Sequence, residues 1–144
     1  MILGGYEQRA TGENVSVASA VAVAMSNTPE GQEALRRGAA EAELRQAPLI
    51  VLSVVDRDSV SADDRSSAQA EVERTLPGIA TTVRVEPDGG DPAGALVDLV
   101  ADVGAAMVVI GSKRRSAVGK FLMGSTVQRV LLDCPVPVLV VKAP

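Results

Sequence analysis

The residues best suited to chemistry lie between Gly111 and Thr126. An apolar run, Met107-Val108-Val109-Ile110, meets Gly111, and the polar, basic string Ser112-Lys113-Arg114-Arg115-Ser116 follows. Gly124-Ser125-Thr126 then opens an amphipathic segment. Strand, glycine, basic loop and Gly-Ser helix start are parts from which a parallel sheet presents backbone N–H groups to a phosphate. Guanidinium groups add charge-assisted hydrogen bonds to its oxygens. Positions 113–120 carry Lys113, Arg114, Arg115 and Lys120 and no acid. A solvated basic loop, a turn glycine and an ordinary helix cap with Ser125 supplying its hydroxyl explain the same residues without a ligand. Both readings remain open on the residues alone.

The composition narrows the chemistry further. Histidine is absent, which removes the commonest general base and the commonest metal ligand. A single cysteine, Cys134, allows no intrachain disulfide and no cysteine cluster for zinc. A reducing, cytoplasmic location is therefore expected. Cys134 is expected to be a buried, inert thiol. Aromatic residues are only 1% of the chain, so stacking bases on rings is nearly unavailable, and a net charge of −4 argues in the same direction against nucleic acid. No apolar run reaches the ~20 residues of a membrane span. Asp56, Asp58, Asp63 and Asp64 read as a solvated acidic stretch rather than a metal site. No catalytic residue and no metal ligand is expected.

The elements that would position these residues can be read in order. The 144 residues suit one domain whose core must be built from Val, Ala, Leu and Ile. Residues 17–25 read as a buried strand. Thr28-Pro29-Glu30 supplies an N-cap followed by a proline at the first helical position, and apolar spacing carries that helix to Arg45. Residues 49–55 form a second buried strand. A helix begins near Ser61, with Asp64 placed as in a capping box, and stops at Pro77-Gly78. Residues 81–86 alternate as a third strand. Asp91-Pro92 starts the next helix and Gly104 ends it. Residues 107–110 form the fourth strand. Val127, Val130, Leu131 and Cys134 mark the apolar side of the last helix, and residues 136–141 form the fifth strand. Phe121 and Met123 are expected to be packing residues. This alternation predicts an α/β fold, a doubly wound five-stranded parallel sheet with helices on both faces. Ligands bind such sheets outside the carboxyl ends of the strands, where the strand order reverses.

Residues 1–16 do not fit the pattern. Met1-Ile2-Leu3-Gly4-Gly5-Tyr6 is a rival first strand, but it leaves a long loop before the Pro29 helix. An N-terminal extension, followed by a domain over 17–144, is the preferred division.

From about residue 17 onward, the chain resembles the universal stress protein family. That family's hallmark is a glycine, two residues, a second glycine, nine residues, then Gly-Ser or Gly-Thr. Here Gly111 is followed by Ser112-Lys113, Arg114 at the second-glycine position, nine residues, and Gly124-Ser125. The Cys-Pro-Val-Pro-Val-Leu-Val run from Cys134 and the stretch from Ala22 through Ala42 are also similar to the family. The resemblance implies a five-stranded doubly wound sheet of the adenine nucleotide alpha hydrolase-like, three-layer kind. In one branch it implies bound ATP, with Mg²⁺ as a possible companion, in a stress-responsive module with little or no catalysis. It nominates Ser26, Val54, Gly111, Ser112, Arg114, Arg115, Ser116, Gly124, Ser125 and Thr126 as cofactor-binding positions. It also implies a homodimer through the strand at 136–141. Two positions depart from the family pattern: Arg114 replaces its second glycine, and Ser26 stands at its aspartate. The departures keep a second possibility open, a dimeric interaction module of the same fold that holds no nucleotide.

Overall fold

Strands β1 (Val21–Ala24), β2 (Leu49–Val55), β3 (Thr82–Pro87), β4 (Met107–Ser112) and β5 (Val138–Lys142) alternate with helices α1 (Pro29–Arg45), α2 (Ala62–Thr75), α3 (Pro92–Val103) and α4 (Ser125–Asp133). They come from a computed structural model that describes residues 19–113 and 123–143. All strand pairs are parallel, in the order β3-β2-β1-β4-β5. The chain winds outward from β1 to β3, then crosses to β4 on the other side of β1. The order thus reverses between β1 and β4, where an open parallel sheet leaves a crevice.

Local signals account for most helix ends. Thr28 Oγ1 accepts the Gly31 N–H at 3.0 Å, and Pro29 begins α1 with its φ already set for a helix. Ser61 and Asp64 form a reciprocal capping box on α2: Asp64 Oδ2 accepts from the Ser61 N–H at 2.9 Å, and Ser61 Oγ accepts from the Asp64 N–H at 3.1 Å. Asp91 Oδ1 accepts from the Gly94 N–H at 3.2 Å to cap α3. Gly104 ends α3 at φ 64°, a left-handed conformation that glycine adopts without steric cost.

Each sheet face carries its own core. Val21, Val23, Val51 and Val109 face α1 and α2, where Ala34, Leu35 and Val72 meet them. Ala22, Ala24, Ile50, Leu52, Val108 and Ile110 face α3 and α4, where Leu96, Leu99, Val100, Val127 and Val130 meet them. Burying one such Val or Leu contributes about 1.5–3 kcal/mol. With both faces covered, the strands read as near-continuous apolar runs rather than as alternating ones.

Several expected boundaries move. The described β1 is shorter than 17–25, β3 is displaced by one residue, and β5 runs to Lys142. Strand β4 does not stop at Ile110 but continues through Gly111 to Ser112, because β5 extends alongside it with Gly111↔Val141 and Ser112↔Lys142 in register. Leu131 does not belong to the buried side of α4. It and Leu132 are exposed, since helical spacing turns Val127 and Val130 inward instead. Cys134 is half-buried rather than buried, at the C-terminal end of α4. The extension over 1–16 and the packing expected of Phe121 fall outside the described residues.

Candidate anion-binding site

The strand register sets the floor of the crevice. Ala24 pairs with Leu52 on one side and with Ile110 on the other. Ser26, Val54 and Ser112 each follow one of these three by two residues, so they share one level at the carboxyl edge. Ala24, Leu52 and Ile110 belong to the core under α3 and α4, and Val54 packs against it. Strand alternation puts Ser112 on that same face. Its side chain is only 2% exposed, and Oγ has no hydrogen-bond partner among the described residues. A buried polar atom left unpaired costs about 1–3 kcal/mol.

On the other face of β4, Gly111 meets the start of α1. A Cβ at this position would overlap the backbone carbonyl of Glu30. A Cβ on Gly31 would in turn overlap the carbonyl and hydroxyl oxygens of Ser26. The two glycines let the β1–α1 turn pack directly onto the end of β4. Gly111 is therefore not a strand-ending turn glycine. The close approach it permits in this structure is to α1.

Ser26 belongs to that turn. Its Oγ lies 2.9 Å from Thr28 Oγ1, which also accepts the Gly31 N–H. The side chain is exposed at the edge, with its hydroxyl already engaged.

Helix α4 runs opposite to the strands, as a crossover between parallel neighbours must, so its N-terminus returns to the carboxyl edge. Gly124 is the N-cap residue, extended at φ −63° and ψ 156°, and no described side chain caps the helix. Ser125 thus begins the helix rather than capping it, and Gly124, a residue type common at N-caps, takes the cap position. The first-turn N–H groups carry the positive end of the helix dipole toward the crevice. Met123, just before, packs against the core under α3 and α4. Gln128 Nε2 donates to the Met123 carbonyl at 2.8 Å, holding the entry to α4.

A charged clamp fixes α4 against α3, and sequence reasoning did not identify it. Arg129 Nη1 and Nη2 lie 3.3 and 3.4 Å from the two carboxylate oxygens of Asp91, and Arg129 Nε donates to Asp133 at 3.2 Å. The Gly94 N–H and then Arg129 hold the Asp91 carboxyl below the usual carboxylate range. Asp133 and Asp91 raise the Arg129 guanidinium above its ordinary value. The one available signal was Asp133 four residues after Arg129; the contact with Asp91 depends on the fold.

Other expected residues lie elsewhere or outside the described segments. Asp56 and Asp58 line a separate cavity of about 460 Å³ with Asp88 and Gly90, at the ends of β2 and β3. Asp64 belongs to the α2 capping box and pairs with Arg57. Among the described residues, no group of three His, Cys, Asp or Glu side chains could hold a metal ion. No described helix is long and apolar enough to cross a membrane. Lys113 is exposed, and Arg114, Arg115, Ser116 and Lys120 lie outside the described residues. The described edge combines amide and hydroxyl donors with an apolar wall at Val54. Those donors suit an anion held by hydrogen bonds.

A sequence model of the Universal stress protein family matches residues 19–142. A curated universal stress protein of Mycolicibacterium smegmatis is 36% identical over 126 residues, covering 85% of this chain and 96% of its own length. A solved universal stress protein from Archaeoglobus fulgidus superposes with a TM-score of 0.69 at 26% identity, covering 86% of this chain and 98% of its own. A structure of the Archaeoglobus fulgidus universal stress protein in complex with dAMP gives a TM-score of 0.67 at 23% identity, covering 86% of this chain and 98% of its own.

Proposed function

We propose a function from a premise the matches establish: the chain belongs to the universal stress protein family. Within that family, it is an adenine-nucleotide-binding module of the stress response, taking ATP with Mg²⁺ carried on the phosphates. The observation that carries this reading is the meeting of two features at the β1/β4 reversal. The carboxyl end of β4 and the N-terminus of α4, which no described side chain caps, share the same edge and face. A helix N-terminus in that place favours a phosphate through its N–H groups and its dipole. The dAMP held by the Archaeoglobus fulgidus protein supports an adenine nucleotide as the ligand class. Val54 gives the base an apolar wall, and the amides of Ser125 and Thr126 face the phosphates. Arg114, Arg115 and Ser116 belong to the same reading through the family's glycine-spaced motif. The reading includes no catalytic step and a cytoplasmic setting.

Isothermal titration with Mg·ATP tests it. The expected result is a saturable heat at one site per chain below millimolar ligand. An absence of heat up to millimolar ligand contradicts it, and favours the interaction module that Ser26 and Arg114, in place of the family's aspartate and glycine, keep open.

The same reading includes a homodimer. Strand β5 is a sheet edge, and Val138, Leu139 and Val140 along it are only partly buried. An apolar edge left unpaired invites association, and pairing with a twofold mate covers it. Light scattering at micromolar concentration should give twice the 14.8 kDa chain mass. A strict monomer contradicts this part of the reading.

A further inference from the structure

We propose that an apolar groove at the amino edge of the sheet is a docking site for this chain's own N-terminal segment, residues 1–6. The groove lies at the opposite end of the strands from the anion site, so the proposal stands apart from the nucleotide reading.

The groove encloses about 640 Å³ between the last turns of α1 and the turn that leads into β3. Its floor is the buried pair Ala42 and Leu49, and Ala39, Pro48, Ile79 and Ala80 form its walls. The Ile79 N–H donates to the Leu76 carbonyl at 3.2 Å, which fixes the turn after α2. Its side chain still stands 49% exposed. A single exposed isoleucine is ordinary on a surface. One that walls an apolar groove leaves area whose covering is favourable. Small-molecule pockets bring a few polar groups to a common point. Here the charged groups, Arg36 and Glu43, are exposed at the rim, and Arg36 is already engaged with Glu33. The walls therefore suit apolar side chains.

The place where the chain enters the fold identifies the occupant. The Val21 N–H donates to the Pro48 carbonyl at 2.9 Å, and Val21 pairs with Leu49. Pro48 and Leu49 are both groove residues, so the chain that precedes β1 arrives beside the groove. β1 is Val21–Ala24, so the sheet does not need Met1–Tyr6 as its first strand. Met1, Ile2, Leu3 and Tyr6 are apolar, whereas Glu7-Gln8-Arg9 and Glu13-Asn14 make the following stretch polar. This is an apolar head on a polar tether. The tether over residues 7–18 spans up to about 40 Å when extended. Neighbouring strands are only about 5 Å apart, so the head reaches the groove with slack. Tethering also gives it an effective concentration of about a millimolar, at which a weak contact suffices. Glu7 and Arg9 bring one charge of each sign to a rim that carries Arg36 and Glu43.

Tyrosine fluorescence of the full chain tests the proposal. Tyr6 is the one tyrosine and there is no tryptophan, so the emission reports this segment alone. Acrylamide should quench Tyr6 severalfold less readily in the protein than in a synthetic peptide of residues 1–18. Ile79→Asp and Ala80→Arg each place a charge in the groove at an exposed position, and each should restore quenching to the level of the peptide. Leu132→Asp, on the exposed side of α4, should leave the protection intact. Removing residues 1–6 should shift the amide resonances of Ala39, Ile79 and Ala80 and leave those of Ser112 and Ser125 in place. Wild-type quenching equal to that of the peptide would overturn the proposal, as would protection that survives both groove variants or is lost in Leu132→Asp. Protection that rises with protein concentration would seat the segment on a second copy and would also overturn it.

Discussion

The β1–α1 turn lies at the same carboxyl edge of the sheet as the end of β4 and the start of α4, yet the two regions treat polar groups in opposite ways. In the first, Thr28 caps α1, Ser26 engages Thr28, and two glycines press the turn onto β4. In the second, Gly124 offers α4 no side-chain cap, and the Ser112 hydroxyl is buried without a described partner. Helices α2 and α3 resemble α1, since both are capped by their own side chains. The contrast teaches that self-satisfaction is the rule at this edge, and that β4–α4 departs from it at two independent points. Departures from local consistency concentrate where a protein binds something.

The closed half should be the easier to break. Leu35→Ala removes a fully buried side chain that docks α1, and should cost about 2–5 kcal/mol by urea unfolding. A loss well under 1 kcal/mol would mean that the turn does not depend on that core. Gly111→Ala comes next, at about 1–3 kcal/mol, because its Cβ meets backbone that cannot rotate away. Normal stability with lost ligand affinity would instead restore a purely ligand-facing role for this glycine. Thr28→Ala should cost about 1 kcal/mol as a lost cap.

Adding a cap to the open half should have the opposite sign. Gly124→Asp has open space for its side chain and extended backbone suited to an N-cap. It should gain a few tenths of a kcal/mol in the ligand-free protein. It should also weaken Mg·ATP binding, since a carboxylate then competes for the same N–H groups. A variant that gains stability and keeps full affinity would separate the α4 N-terminus from the ligand.

Much of this architecture was legible in the residues. Caps at Thr28, Ser61 and Asp91, with Pro29 and Pro92 behind them, are local signals, and they placed three helix starts. Continuous apolar strands gave the parallel sheet for the same reason. The end of β4 was not legible, because Gly111 looks like a stop until β5 is known to run beside it. The orphaned state of Ser112 was also hidden. Its parity with Val108 and Ile110 was countable, but only the fold reveals that nothing described reaches its hydroxyl. The exposure of Leu131 escaped because one short helix leaves its apolar phase ambiguous. The Asp91–Arg129 clamp escaped because it joins residues 38 apart in sequence.

The smallest expected effect concerns acid. The Ser61 N–H and then Arg57 hold the Asp64 carboxyl below its ordinary range, and Asp91 is held low as well. A depressed folded value adds stability above the unfolded value, and that stability is lost as pH falls through the folded one. Melting temperature should therefore decline below about pH 4, and Asp64→Asn should flatten that decline. An unchanged slope in the variant would remove Asp64 from the account.

The central claim is that the open half receives an anion. Amide chemical shifts recorded while Mg·ATP is added test it most directly. Ser112, Ser125 and Thr126 should move together and saturate, while Thr28 and Gly31 move little. Shifts at the β1–α1 turn with none at Ser112 or the start of α4, or no shifts at millimolar ligand, would contradict it.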